Sequence, residues 1–316
     1  MCLVGFAIDA HRRFPLVVAA NRDEFFERPT ARLGWWSAAD GGPEILGGRD
    51  LAAGGTWLGL TAAGRLALVT NVRKPGLPPV DAPSRGGIVP LWLTTPRRPD
   101  QFWMQVALSG YAPFNLIAAD FRAGDCFWAS SEAASPRRIE RGILGLSNGG
   151  LDAPWPKVTA LKARMAALIP EADDAEALAN RLFEALADRQ IAPDAELPAT
   201  GIGLPRERVL SPAFIRTPDG RYGTRCSTVI ITERVQKRLV THVFERSFSA
   251  GPGVALLRRA ALRDWPPRYA QESAGGSGDS PVDESEVAVS HDTGEMPPPP
   301  KRTRVRSLLK PLNKVF

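Results

Sequence analysis

Cys2 becomes the first residue of this chain once Met1 is removed, which methionine aminopeptidases do when the second residue is small. A thiol and a free α-amine would then share one residue. The amine titrates at roughly 7.7–8.0 and the thiol near about 8.5, so the amine can take the thiol's proton near neutral pH without a histidine. Asp23, in the run Asn21-Arg22-Asp23-Glu24, can orient that ammonium through a charge-assisted hydrogen bond. Asn71 and Asn148 each end an apolar strand, where a side-chain amide can donate to a developing oxyanion. Arg225, in Tyr222-Gly223-Thr224-Arg225, is a candidate to steer a carboxylate or support the thiolate. Together these residues suit acyl transfer at an N-terminal nucleophile.

The elements that must position them are short antiparallel pairs. Residues 2–8 read as a strand, 9–14 as a polar turn, and Pro15–Asn21 as a returning strand that brings Asn21-Arg22-Asp23-Glu24 within reach of Cys2. Period-two alternation places Asn21 and Asp23 on one face and Arg22 and Glu24 on the other, where an Arg22–Glu24 ion pair is the simplest expectation. Further hairpins are predicted at 56–61 with 66–72, 115–120 with 126–130, and 227–233 with 239–245. Between them, 88–93, 157–168 and 175–189 carry apolar residues at helical spacing, with Asp173 or Asp174 placed to cap the last. Hairpins with helices grouped in blocks indicate an α+β fold rather than alternating βαβ units. Neither a glycine-rich dinucleotide fingerprint nor a P-loop sequence occurs.

Composition narrows the function classes. The 316 residues carry a net charge of +6, but Lys and Arg are scattered among acids until the C-terminal segment, so nucleic acid is not an expected partner. Three cysteines and three histidines, without a CxxC, point to neither a structural zinc nor a disulfide framework, and suit a reducing, cytoplasmic location. The longest apolar runs are far below the ~20 residues of a membrane-spanning helix. Residues 1–268 are expected to form one domain. Residues 269–316 read as a tail, rich in Gly, Ser, Pro and acids and too polar to fold, ending in a basic segment suited to an anionic surface. The tryptophans Trp35, Trp36 and Trp57 are expected in the core, with the wall of the pocket as the alternative.

With these motifs in view, the sequence resembles the NRDE-motif family, also called the transport and Golgi organisation family. The resemblance rests on Asn21-Arg22-Asp23-Glu24, Gly47-Gly48-Arg49-Asp50, Gly54-Gly55-Thr56-Trp57-Leu58-Gly59, Leu68-Val69-Thr70-Asn71-Val72-Arg73, Ser84-Arg85-Gly86, Leu146-Ser147-Asn148 and Tyr222-Gly223-Thr224-Arg225. It implies the four-layer αββα sandwich of antiparallel sheets of N-terminal nucleophile hydrolases. It also implies a site similar to that of choloylglycine hydrolases and penicillin V acylases, with Cys2 as nucleophile, Asp23 beside it, Asn71 and Asn148 at the oxyanion, and Arg225. Those acylases carry an arginine near the nucleophile where this chain has Ala20, and Arg22 is expected at opposite parity to it. The function implied is hydrolysis of a linear amide C–N bond of a small acyl substrate, with no cofactor. The alternative is a non-catalytic carrier in haem trafficking or lipid and acyl-CoA homeostasis, with haem as bound cargo.

Overall fold

The computed structural model describes residues 2–76, 81–251 and 255–267. In chain order the elements are β1 (Cys2–Ile8), β2 (Leu16–Phe25), β3 (Thr30–Ser37), β4 (Glu44–Asp50), β5 (Leu58–Leu60), β6 (Arg65–Asn71), α1 (Ile88–Thr94), α2 (Pro99–Ala107), β7 (Phe114–Asp120), β8 (Asp125–Ser130), β9 (Arg137–Arg138), β10 (Gly142–Leu146), α3 (Pro156–Glu171), α4 (Ala175–Leu186), α5 (Leu204–Val209), β11 (Tyr222–Val235), β12 (Arg238–Ser247) and β13 (Leu256–Arg263). Among the described residues the strands form a six-stranded sheet in the order β10-β1-β2-β11-β12-β13 and a seven-stranded sheet running β3 to β9 in sequence order. The strand pairs in both are antiparallel.

Alternation along the strands separates the layers. Val4, Phe6, Ile8, Leu16, Val18 and Ala20 from the first sheet meet Leu58, Leu60, Leu66 and Leu68 from the second. The intervening residues Leu3, Ala7, Val17 and Ala19 turn outward against Leu161, Met165, Leu178 and Leu182 of α3 and α4. On the far side, Ala67, Val69, Leu116 and Ala118 are covered by Val89, Trp92, Phe102 and Val106 of α1 and α2. Strands buried on both faces lose the apolar–polar alternation of a solvated sheet, and β1 is buried at every residue. The result is the expected α+β fold, with its layers in the order helix, sheet, sheet, helix.

The local predictions meet the structure closely where a hairpin or helix is self-contained. Asp174, not Asp173, caps α4 by accepting the Ala177 N–H at 2.7 Å. That helix stops at Leu186, short of the predicted Arg189. Strands β3, β4 and β13 and helices α2 and α5 were not expected. The paired glycines Gly5 and Gly145 face α3, and a Cβ on Gly5 would lie 2.2 Å from the Met165 sulphur. Their missing side chains let α3 lie close on β1 and β10, which brings the helix start near Cys2 at the start of β1. No described helix is long and apolar enough to cross a membrane. The proposed tail, 269–316, lies outside the described residues.

Candidate functional site

The hairpin of β1 and β2 sets Cys2 opposite Arg22 and Val4 opposite Ala20. Residues opposed in an antiparallel pair point to the same face, so Cys2, Ala20 and Arg22 all face the space between the sheets. This corrects the expected parity: Arg22 shares a face with Ala20 and is itself the cross-strand neighbour of Cys2. Beside them a cavity of about 370 Å³ opens, lined by Cys2, Arg22, Glu24, Arg28, Asp50 and Arg85, with Trp57 and Asn71 in its wall. Trp57 therefore borders the cavity as well as packing on the core, where the sequence placed it.

Alternation divides the Asn21-Arg22-Asp23-Glu24 run as predicted. Asn21 points to the helical layer, where its amide donates to the carbonyls of Leu186 (2.9 Å) and Ala213 (2.8 Å) and its oxygen accepts from Ser227 (2.6 Å). It ties β2 to the end of α4. Asp23 accepts from the Thr224 hydroxyl at 2.7 Å, and Tyr222 donates its hydroxyl to the Asp23 carbonyl at 3.0 Å. Arg22 and Glu24 lie on the cavity side. Arg22 reaches Asp50 at 3.4 Å and Glu24 at 3.8 Å, and stacks over Trp57 at 4.4 Å from the ring centroid. Arg28 shares both carboxylates, at 2.7 Å from Asp50 and 3.9 Å from Glu24.

The two asparagines sit where the sheets are stitched together. The Ser147 hydroxyl donates to the Cys2 carbonyl at 2.8 Å, and the Thr70 hydroxyl to the Ser147 carbonyl at 2.7 Å. Those bonds hold the end of β6, and with it Asn71, beside the start of β1. Asn71 lines the cavity. Asn148 is fully buried and donates its amide to the Asn71 carbonyl at 2.7 Å, so it props Asn71 rather than lining the same cavity. Buried Asn115, not noticed in the sequence, donates to the Gly149 carbonyl at 2.8 Å and supports the same seam.

Arg225 lies apart from Cys2. It falls at a bulge where the β11–β2 register shifts, and its guanidinium donates to the carbonyls of Phe25 (2.7 Å), Phe26 (3.1 Å) and Arg28 (3.0 Å). It pins the chain that follows β2, and lines a separate cavity of about 380 Å³ with Cys226 and Glu245. Of the sequence candidates, the structure gathers Cys2, Asp23, Asn71, Arg22 and Glu24 at one cavity, with Asn148 one contact behind and Arg225 elsewhere.

Lys157 is the main residue that the sequence left unnoticed. It is buried at the start of α3, donates to the Leu210 carbonyl at 2.9 Å, and feels the charges of Asp23 and Cys2. Burial brings its pKa down to about 8, with Asp23 opposing that fall. A signal was available: Lys157, Leu161 and Met165 follow each other at i, i+4 and i+8, so the lysine lies on the apolar stripe of its helix. Asp50 and Arg85 were inside the motifs noted above but carried no assigned role. Behind Lys157, buried Arg73 pairs with Glu207 and stacks over Trp155 at 4.7 Å.

Burial dominates the electrostatics. It pushes the Cys2 thiol up, opposed by the positive amino terminus, while the Asp23 carboxylate adds to the rise and Arg22 reduces it. Burial also raises the Asp23 carboxyl, against the pull of Lys157, the amino terminus and the Thr224 hydrogen bond. Asp50 goes the other way: burial would raise it, but the hydrogen bond from Arg28, the Ala53 N–H and the charges of Arg28 and Arg22 hold it below the usual carboxylate range. Among the described residues no group of three or more His, Cys, Asp or Glu is arranged to hold a metal ion.

The cavity wall depends on one close approach. Thr56 N–H donates to the Gly86 carbonyl at 3.0 Å, and a Cβ on Gly55 would meet that same oxygen at 2.2 Å. Gly55→Ala is therefore expected to push the Ser84–Gly86 segment off the wall, at a cost of about 1–3 kcal/mol from overpacking. Urea unfolding checks the loss, and faster alkylation of Cys2 checks the opening. An unchanged alkylation rate would mean that the segment does not screen Cys2.

The comparisons with known proteins agree with these motifs. The family model described as Transport and Golgi organisation 2 matches residues 1–250. The chain is similar to the Transport and Golgi organization protein 2 homolog of Bos taurus, 34% identical over 251 residues, covering 74% of this chain and 89% of that protein. It is 32% identical over 254 residues to the Homo sapiens homolog, with the same shares covered. Among solved structures, the Caenorhabditis elegans N-acylethanolamine-hydrolyzing acid amidase ortholog has a TM-score of 0.37 and 12% identity, covering 73% of this chain and 92% of that one. Likeness at that level carries no argument about the site. On its motifs, the extent of the family match and the identity to these relatives, the chain belongs to the Transport and Golgi organisation 2 family.

Proposed function

We propose that this protein is an N-terminal-cysteine hydrolase acting on a linear amide C–N bond of a small acyl substrate. The observation that supports it best is the setting of Cys2, at the start of β1, in register with Arg22, and in the wall of a cavity that also holds Asn71. Burial keeps the thiol protonated, so attack needs a base at the sulphur. The α-amine released by loss of Met1 is that base, with Asp23 beside it. The thiolate adds to the substrate carbonyl, and the negative charge that forms on oxygen is met by the Asn71 amide, with Asn148 holding Asn71 in place. Collapse of the adduct breaks the C–N bond, and the α-ammonium returns its proton to the leaving amine. Water then hydrolyses the thioester and restores Cys2. This route uses no cofactor.

The second reading is a carrier of haem or of acyl lipids. The cavity walls offer Trp57 and Val69 to an apolar cargo, but Arg22, Glu24, Arg28, Asp50 and Arg85 make the site strongly charged. A small polar substrate suits such walls better than an apolar macrocycle, because charges desolvated by an apolar ligand lose water without replacement.

Intact mass and an electrophilic acyl or β-lactam probe test the hydrolase reading. The expected result is a chain lacking Met1 that gains one acyl group at Cys2, loses it with time, and gains none as Cys2→Ala. A processed chain that never acylates would sink the reading.

A further inference from the structure

We infer that Arg85 is the anion-binding residue of the Cys2 cavity, and that the substrate carries a carboxylate or phosphate on the part that lies against it. This names a substrate class for the hydrolase reading and rests on it for the identity of the reacting cysteine. The inference comes from a charge balance around Cys2. Arg22 and Arg28 both have Asp50 and Glu24, Arg73 has Glu207, and Lys157 interacts with Asp23. Arg85 has no carboxylate within ion-pair distance among the described residues, and its guanidinium donates to the Pro113 carbonyl at 3.0 Å.

Arg85 nevertheless lines the cavity and feels the charges of Cys2 and Glu24. Burial that holds its pKa below the usual value shows that its guanidinium is partly removed from water. A half-buried cation without a counter-ion is costly, and a ligand anion removes that cost. The segment that carries Arg85 is also held firmly. Ser84 accepts the Gly86 N–H at 3.3 Å, Gly86 accepts the Thr56 N–H at 3.0 Å, and Gly55 packs against the same carbonyl. A guanidinium held in this way is ready for the two parallel hydrogen bonds that it makes with an oxyanion. Three arginines and three carboxylates line the cavity, but Asp23 interacts with Lys157 behind the wall and Glu24 and Asp50 are shared by Arg22 and Arg28, so Arg85 is the arginine left without an ion-pair partner among the described residues.

Two alkylating agents of similar shape and opposite charge character separate this from any effect of Arg85 on the thiol. Iodoacetate and iodoacetamide differ in a carboxylate, so their rate ratio at Cys2, read by peptide mass spectrometry, reports anion recognition. A change in thiol ionisation alters both rates together and cancels. The ratio of iodoacetate to iodoacetamide is expected to fall about five- to ten-fold in Arg85→Gln, the effect of one partly screened charge pair, and to survive in Arg85→Lys. Melting supplies a second arm. Sodium acetate or sodium phosphate, compared with chloride at equal ionic strength, is expected to raise the melting temperature of the unaltered protein more than that of Arg85→Gln. Stabilisation by acetate alone identifies a carboxylate ligand, and by phosphate alone a phosphate ligand. Equal rate ratios and equal anion responses in the two proteins would overturn the inference. If Cys2 reacts with neither reagent, the hydrolase reading fails and the melting arm alone decides the anion site.

Discussion

Arg22→Met is expected to lower stability by about 3 kcal/mol at neutral pH, within the range for breaking a buried ion pair by removing one partner. Arg22 is only 5% exposed, so solvent does little to screen the pair or to replace it. Its loss leaves Asp50 and Glu24 to Arg28 alone, which is itself partly solvated, and strips the cation from the face of Trp57. Methionine fills most of the volume, so the deficit reads the charge and not a cavity. The same variant should react more slowly at Cys2. Burial sets the high thiol pKa, and Arg22 is one of the charges that reduce it. Without Arg22 the alkylation profile moves to higher pH. Arg22→Lys keeps the charge but not the fork or the stacking, so it should recover the pH profile and only part of the stability. Denaturant unfolding and the pH dependence of iodoacetamide labelling measure the two effects. Unaltered stability together with an unmoved profile would show that Arg22 is no more than a solvated neighbour.

Lys157→Met should be comparably costly, and its cost should depend on pH. The buried lysine lowers the Asp23 carboxyl through its charge, against burial, which raises that carboxyl above its usual range. With the cation gone, Asp23 rises further and takes a proton in the folded state at pH values where the unfolded chain has lost it. A folded state that binds the extra proton loses stability as pH rises from the unfolded carboxyl value, about 3.9, through the folded one. The deficit is therefore expected to be small near pH 4 and to reach about 3 kcal/mol near pH 8. The lysine itself leaves a second mark. Its folded pKa of about 8 lies below the unfolded value, so between them the unfolded chain holds the proton that the folded one has released. Stability of the unaltered protein gains with pH over that interval, from about 8 to about 10.4, and the variant lacks the gain. Urea unfolding at pH 5, 8 and 10 measures both. A deficit that is equal at the three values would assign Lys157 to packing alone.

Much of the site was legible because it is local. Residues 2–25 are one hairpin with a short turn, and alternation with a short connection determines that Asn21 and Asp23 part from Arg22 and Glu24. The register itself, Cys2 against Arg22, needed the structure to set it, whereas the shared face of Ala20 and Arg22, two residues apart, follows from alternation alone and corrects the expected parity. Asn71 and Asn148 were recognisable as strand ends, but their division of labour was not. A side-chain amide at the end of a strand looks the same in sequence whether it faces a cavity or, like Asn148, is spent on the Asn71 carbonyl.

What the sequence by itself determined is the set of short antiparallel pairs, the helical stripes, the membership of Arg22 and Glu24 in one face, and a cysteine at the chain's start with an aspartate near it. These depend on neighbours within a few residues, where periodicity and sterics act. What only the tertiary structure decided is which distant side chains complete the site. Lys157 comes within electrostatic range of Asp23 because Gly5 and Gly145 let α3 lie close on the sheet, and Arg85 reaches the cavity because Gly55 lets its segment rest on Gly55 and Thr56, ahead of β5. Arg225 was drawn away by three carbonyls of the chain following β2. The physical reason is the same in each case. Close approach of separate layers, and the balance of buried charges it creates, depends on long-range packing that no local pattern encodes.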